Sequence, residues 1–157
     1  MTTVEKVDFP PSAALTPFLR DLLGTDVTLT ETAPPSPKDE AVMPHMTFFL
    51  DDDNYIVMKA AGDLPFVAYA GCALAMIPVG RAVETVNTGN LEEDIDECYR
   101  EVMNVLTRTV NENSGKHVRL VPGMRPSEEQ LIEVSAAIAY DVDVARYGTG
   151  RLCFWLT

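Results

Sequence analysis

The sequence predicts an α+β fold, a mostly antiparallel sheet with long helices packed on it. Three observations carry that prediction. Several short segments alternate apolar and polar side chains between turn residues, a pair of such segments closes the chain as a hairpin, and a helix-periodic stretch of about 23 residues lies between them. The 157 residues suit one domain, 1–157, long enough to enclose a core.

In chain order, TPFLRDLLG reads as a short helix, with Thr16 placed to cap it, Pro17 in its first position and Gly24 to stop it. TDVTLTET alternates and reads as a strand. APPSPKDEAVMP is a proline-rich polar connection, too short for a domain linker. MTFFL and YIVMKA flank the turn DDDN and form a β-hairpin. In residues 63–77, DLPFVAYAGCALAMI, Asp63 can cap, and Phe66, Ala70, Ala73, Leu74 and Ile77 recur at helical spacing. The alanine content favours a helix there, although FVAY alone would pass for a strand. A further turn of helix follows Pro78, before the TGN break at 88–90.

Asn90 with Glu93 three residues on is an asparagine version of the capping box, and it predicts a helix from Leu91 to about Asn113, ended by Gly115. KHVRLV reads as a strand. SEEQLIEV opens with a second cap pattern, Ser127 to Gln130, and reads as a short helix. AIAYDVDVARY and RLCFWL alternate across the turn GTG, the strongest hairpin signal in the chain.

Asp and Glu number 24 against 12 Lys and Arg, a net charge of −12. Such a surface repels phosphate backbones and anionic lipid, which argues against nucleic acid and membrane-surface partners. It suits a partner with a basic rim; plain solubility is the bland alternative. Cys72, Cys98 and Cys153 are odd in number, far apart and set in apolar runs. They match neither a metal spacing nor a disulfide framework, so they are expected to be reduced core thiols in a cytoplasmic protein. MTTVEKVDFPP has no basic segment followed by an apolar one, so no signal peptide is expected. LPFVAYAGCALAMIPV is too short to span a bilayer and is broken by Pro78 and Gly80.

The long helix has two distinct faces. At about 100° per residue, Leu91, Ile95, Cys98, Tyr99, Val102 and Leu106 share one arc and must pack inward. Glu97, Glu101, Asn104 and Arg108 follow one another at offsets of 4, 3 and 4, a single stripe on the opposite side. Asparagine is a poor interior helix residue because its amide competes for backbone hydrogen bonds. A solvated face would ordinarily hold Glu, Lys, Arg or Gln, with Glu101 reaching for a base one turn away. The alternative is a rigid platform that aims a carboxylate and an amide at a partner. E-x-x-N alone does not decide between them.

The stretch LEEDIDECYREVMNVLTRTVNENSGKHVRLVP resembles the motif helix and following strand of the CheC/CheX/FliY chemotaxis phosphatases. That family's pattern is Asp or Ser, then E-x-x-N, then Gly four residues after the Asn. The resemblance spans nearly the whole chain: an N-terminal helix, TDVTLTETAP, MTFFL…YIVMKA, an alanine-rich helix and the closing DVDVARYGTGRLCFWL hairpin come in the family's order. It implies hydrolysis of the aspartyl phosphate on a CheY-like response regulator, which itself supplies the acyl phosphate, a lysine and its Mg²⁺. Glu101 and Asn104 match the family's acid and amide. Asn104 would orient the attacking water, and Glu101 would pair with the partner's lysine. The chain needs no cofactor of its own in that chemistry.

Two positions depart from the pattern. Glu97 replaces Asp or Ser, and Arg108 replaces Gly; both lie on the docking stripe as partner-binding residues. Arg108 either crowds the partner's metal or takes phosphate oxygens. SEEQLIEV offers no second motif, since Ile132 stands where the amide would be. A single site resembles the CheX branch, which implies a homodimer. A non-catalytic module that binds a receiver domain or scaffold through the same face is the alternative.

The remaining candidates are weaker. DDDN lacks the glycine and closing glutamate of a calcium loop and reads as a hairpin turn. His45 and His117 have no Cys or carboxylate at ligand spacing and are expected at surface or strand positions. No serine sits in a nucleophile elbow, and GTG lacks the strand–turn–helix setting of a phosphate loop. Phe154 and Trp155 fit core and sheet edge better than a stacking platform.

Overall fold

The structure, a computed structural model, describes residues 6–122 and 124–157; the unpatterned start, residues 1–5, lies outside them. Helix α1 (Ser12–Leu23) leads into β1 (Val27–Thr32). The proline-rich connection ends in a 3₁₀ turn, Met43–His45, before the hairpin β2 (Met46–Leu50) and β3 (Ile56–Gly62). Then come α2 (Leu64–Leu74), α3 (Val79–Thr88) and the long α4 (Glu93–Asn113). Strand β4 (Arg119–Val121), the short α5 (Glu128–Ile132) and the hairpin β5 (Ala136–Val144) and β6 (Gly148–Leu156) complete the chain. The fold is α+β, as predicted.

The strands form one six-stranded sheet in the order β1-β5-β6-β3-β2-β4, antiparallel at every junction. The closing hairpin therefore fills the middle of the sheet, in register from Ala136 opposite Leu156 to Val144 opposite Gly148. Trp155 and Phe154 lie on an interior strand, not the expected edge.

Alternation divides the sheet residues between two faces. Phe49, Met58, Val142 and Phe154 meet Leu15 and Leu19 of α1, Phe66 and Val67 of α2, and Val102 and Leu106 of α4. On the other face, Ala61, Ala139, Cys153 and Trp155 lie under Val42, and the indole Nε1 donates to the Pro35 carbonyl at 2.9 Å. Phe48, Leu50 and Ile56 lie under Met124 and Leu131. Lys59, on the same face, is wholly buried; its Nζ donates to the Glu133 carbonyl at 2.6 Å, and burial pushes the ammonium pKa below its usual value. The polar connection thus covers the middle strands of this face through Pro35 and Val42.

Several boundaries differ from the expectation for local reasons. Helix α1 starts at Ser12, four residues before Thr16, because the Pro11 carbonyl accepts from the amides of Ala14 and Leu15, both at 2.9 Å. Pro17 lies inside the helix, carried by burial of Leu15 and Leu19 on either side of it. Asn90 does not cap α4. Gly89 ends α3 in the left-handed conformation (φ 73°), and Thr88 Oγ1 accepts the Asn90 amide at 3.2 Å, so Asn90 belongs to the exit from α3. Glu92 stands at the N-cap without a side-chain capping bond, its carboxylate paired with Arg81 at 3.2 Å, and Glu93, Asp94 and Asp96 meet the helix dipole instead. Ser114, extended, ends α4 in place of Gly115.

The last hairpin turns at residues 145–147, with Arg146 at φ 76°, and GTG opens β6. Gly150 is needed within that strand because a Cβ there would lie 2.2 Å from the Phe66 amide nitrogen. Strand β4 is shorter than KHVRLV. The Val118 amide goes to Asn111 Oδ1 at 2.8 Å, and Pro122 has no amide to continue the ladder. By contrast, Asp63 caps α2 by accepting from the Phe66 amide at 3.0 Å, and Ser127 with Gln130 forms a full capping box on α5, both as the sequence predicts.

Candidate functional site

Helix α4 is fixed along its length. Ile95, Tyr99, Val102, Met103, Leu106, Thr109 and Val110 are buried, while Cys98 and Leu91 are half-buried. The inward arc is therefore wider than the sequence reading, with Met103, Thr109 and Val110 added and Cys98 at its margin. The Tyr99 hydroxyl accepts from the Gly62 amide at 3.0 Å and donates to the His45 carbonyl at 3.2 Å, which ties the helix to β3 and to the 3₁₀ turn. Burial pushes the phenol pKa up. Gly71 of α2 lets the two helices meet closely, since a Cβ there would lie 2.8 Å from the Ile95 carbonyl. Near the other end, the Asn111 amide donates to the Val118 carbonyl at 2.9 Å while accepting the Val118 amide.

On the far side of this fixed helix, Glu97, Glu101, Asn104 and Arg108 are all exposed. The structure brings these four together along one stripe. Among the described residues, the side chains of Glu97, Glu101 and Asn104 have no hydrogen bond or ion pair. The helix's two arginines are engaged with other acids: Arg100 with Asp96 at 2.8 Å, and Arg108 with Glu112 at 3.1 Å. Glu93, Glu97 and Glu101 follow at successive i,i+4 steps, a spacing at which like charges repel. No base one turn away relieves Glu101; its neighbours at that spacing are Glu97, Cys98, Asn104 and Val105. From Glu93 to Asn104 the stripe thus lacks the compensated charge pattern of an ordinary solvated face, and only Arg108 at its end is paired.

A groove of about 790 Å³ runs along the flank of α4. Asp96, Arg100 and Asn104 of α4 line it with Thr47 and Leu120, and Tyr99 and Met103 are also among its lining residues. Sequence reasoning missed it, because its lining comes from three segments far apart in the chain. His45 also lines it, neither on the surface nor in a strand: it ends the 3₁₀ turn, half-buried, its ring edge-on to Tyr99 at 6.3 Å. Burial pushes its imidazole below the usual value, against the opposing pull of Asp96 and Asp63. His117 is exposed beside Asp52 at 3.1 Å. Burial drives the Cys72 thiol to about 11 and that of Cys153 to about 12, so both are inert at neutral pH.

The chain is therefore an α+β protein that presents a carboxylate and an amide from a rigid helix on a six-stranded antiparallel sheet. This is the fold of the CheC/CheX/FliY proteins. No family profile matches the sequence, and no curated protein matches it. The FliY structure from Thermotoga maritima covers 93% of this chain and 82% of its own, at 14% identity and a TM-score of 0.54. The FliM middle domain from H. pylori covers 92% of this chain and 84% of its own, at 9% identity and a TM-score of 0.55. The CheX–CheY–BeF₃–Mg²⁺ complex from Borrelia burgdorferi covers 96% and 99%, at 12% identity and a TM-score of 0.50. The likeness reaches FliY, FliM and CheX alike and singles out no branch. Among the described residues, no helix is long and apolar enough to cross a membrane.

Proposed function

We propose that this protein is a phosphatase for the aspartyl phosphate of a CheY-like receiver domain, acting through Glu101 and Asn104. The observation that carries the reading is the unpaired part of the stripe: on a helix whose inner face is packed, Glu97, Glu101 and Asn104 stand exposed with no partner among the described residues. The repulsion along Glu93, Glu97 and Glu101 makes this face slightly destabilising by itself, which suits a surface selected for contact. The choice of partner draws on the Borrelia burgdorferi structure, in which a CheX with this fold is in complex with CheY, BeF₃ and Mg²⁺.

Hydrolysis of an acyl phosphate by in-line attack of water needs positioning more than new covalent chemistry. The partner contributes the acyl phosphate, a lysine and its Mg²⁺. Asn104 holds the water through one donor and one acceptor and does not titrate. Glu101 pairs with the partner's lysine and sets the register of docking. Glu97 and Arg108 extend the contact along the helix. The single Glu/Asn pair fits a homodimer of the CheX kind, working in the cytoplasm. The test is the decay of a phosphorylated receiver domain with and without the protein. Wild type accelerates decay and Asn104→Ala does not; equal rates for the two remove Asn104 from catalysis. Receiver binding without any acceleration by wild type would instead identify a non-catalytic binding module.

A further inference from the structure

Resting on that reading, we infer that Arg108 recognises the phosphoryl group itself, and that Glu112 holds it in reserve until a phosphorylated receiver docks. The outward line of α4 is otherwise acidic through Glu93, Glu97 and Glu101, a face that by itself repels a phosphoryl group. A cation of this chain beside Asn104 offsets this in addition to the partner's lysine and Mg²⁺, and two arginines lie one turn away. Arg100 is bound to Asp96, four residues toward the N-terminus, the direction in which helical side chains naturally lean. It points away from Asn104.

Arg108 is placed the other way. Its natural lean carries it back over Asn104, with Cβ atoms about 5–6 Å apart at this spacing. Instead, its Nε is drawn forward to Glu112 Oε1 at 3.1 Å. Among the described residues, its two terminal nitrogens make no hydrogen bond. The side chains are 83% and 58% exposed, so water and salt weaken the pair. A guanidinium fork on phosphoryl oxygens is the stronger contact. Arg108 therefore leaves Glu112 for the phosphoryl oxygens on docking. The consequence is selectivity for the phosphorylated state, supplied by one residue and tuned by its neighbour.

The test measures affinity for a CheY-type receiver, either unloaded or loaded with beryllofluoride and Mg²⁺. Arg108→Ala weakens binding of the loaded form about tenfold and that of the unloaded form, which loses only the edge of the helix contact, far less. Arg108→Lys falls between, keeping the charge without the fork. Glu112→Gln tightens binding of the loaded form several-fold. Equal weakening of both forms by Arg108→Ala, or no effect on either, overturns the inference, as does a Glu112→Gln variant that gains nothing for the loaded form. Asn104→Ala separates the two levels. If it abolishes acceleration of decay while the Arg108 variants behave as wild type, only the role of Arg108 falls. If Asn104→Ala decays the receiver as wild type does, or no form of the receiver binds, the phosphatase reading falls and takes this inference with it.

Discussion

The two faces of α4 are held by different physics. Inward, Ile95, Tyr99, Val102, Met103 and Leu106 are close-packed, and the tyrosine hydroxyl is satisfied on both sides by Gly62 and His45. Outward, Glu97 and Glu101 repel one another, Asn104 has no internal partner among the described residues, and the two arginines are turned to other acids. The inner face spends its side chains on stability, and the outer face leaves them available. Substitutions on the first should therefore move stability, and those on the second should move function and leave the fold intact.

The largest effect is expected at Leu106, which is 1% exposed. Leu106→Ala should lower unfolding free energy by about 2–5 kcal/mol, measured by denaturant titration, because the cavity adds to the lost transfer energy. Tyr99→Phe comes next, at about 1–2 kcal/mol, since it leaves the Gly62 amide without its acceptor. A loss at either position no larger than the roughly 0.5 kcal/mol of an ordinary surface substitution would erase the distinction between the faces.

A pH titration sharpens it further. His45 has a native pKa below 6.5 because burial disfavours its charged form. As pH falls from 6.5 through the lower native value, the unfolded chain takes up a proton before the native one does, so stability drops across that window. His45→Gln should flatten this slope, and substitutions on the outer stripe should leave it intact; stability curves at several pH values decide. Smallest is Glu101→Gln, which removes a like-charge contact and should raise stability by about 0.2–0.5 kcal/mol while weakening receiver binding. A variant that gains stability and loses binding would mark the outer face as functional.

The outer stripe was legible in the sequence because a period of 3.6 residues separates two faces without any tertiary information. The same holds for the fold class, since β5 and β6 announce themselves by alternation. What the sequence hid depends on competition and on distant segments. Asn90 has the spacing of a cap, yet the exit from α3 claims it through Thr88 and Gly89. GTG reads as a turn, but Gly150 is there to admit the backbone of Phe66. The proline-rich connection carries no period from which its docking over Trp155 could be read. The groove needs β2, the 3₁₀ turn, α4 and β4 side by side, and no local pattern records that arrangement.

The central claim, that the outer face of α4 does chemistry while the inner face holds the helix, comes to one paired measurement on Asn104→Ala. Its thermal melt and its effect on decay of a phosphorylated CheY-type receiver are read from the same preparation. The account predicts a melt within about 0.5 kcal/mol of wild type, as expected for an exposed substitution, and a loss of acceleration of about a hundredfold. Unchanged acceleration, or a melt that collapses as Leu106→Ala does, would contradict it.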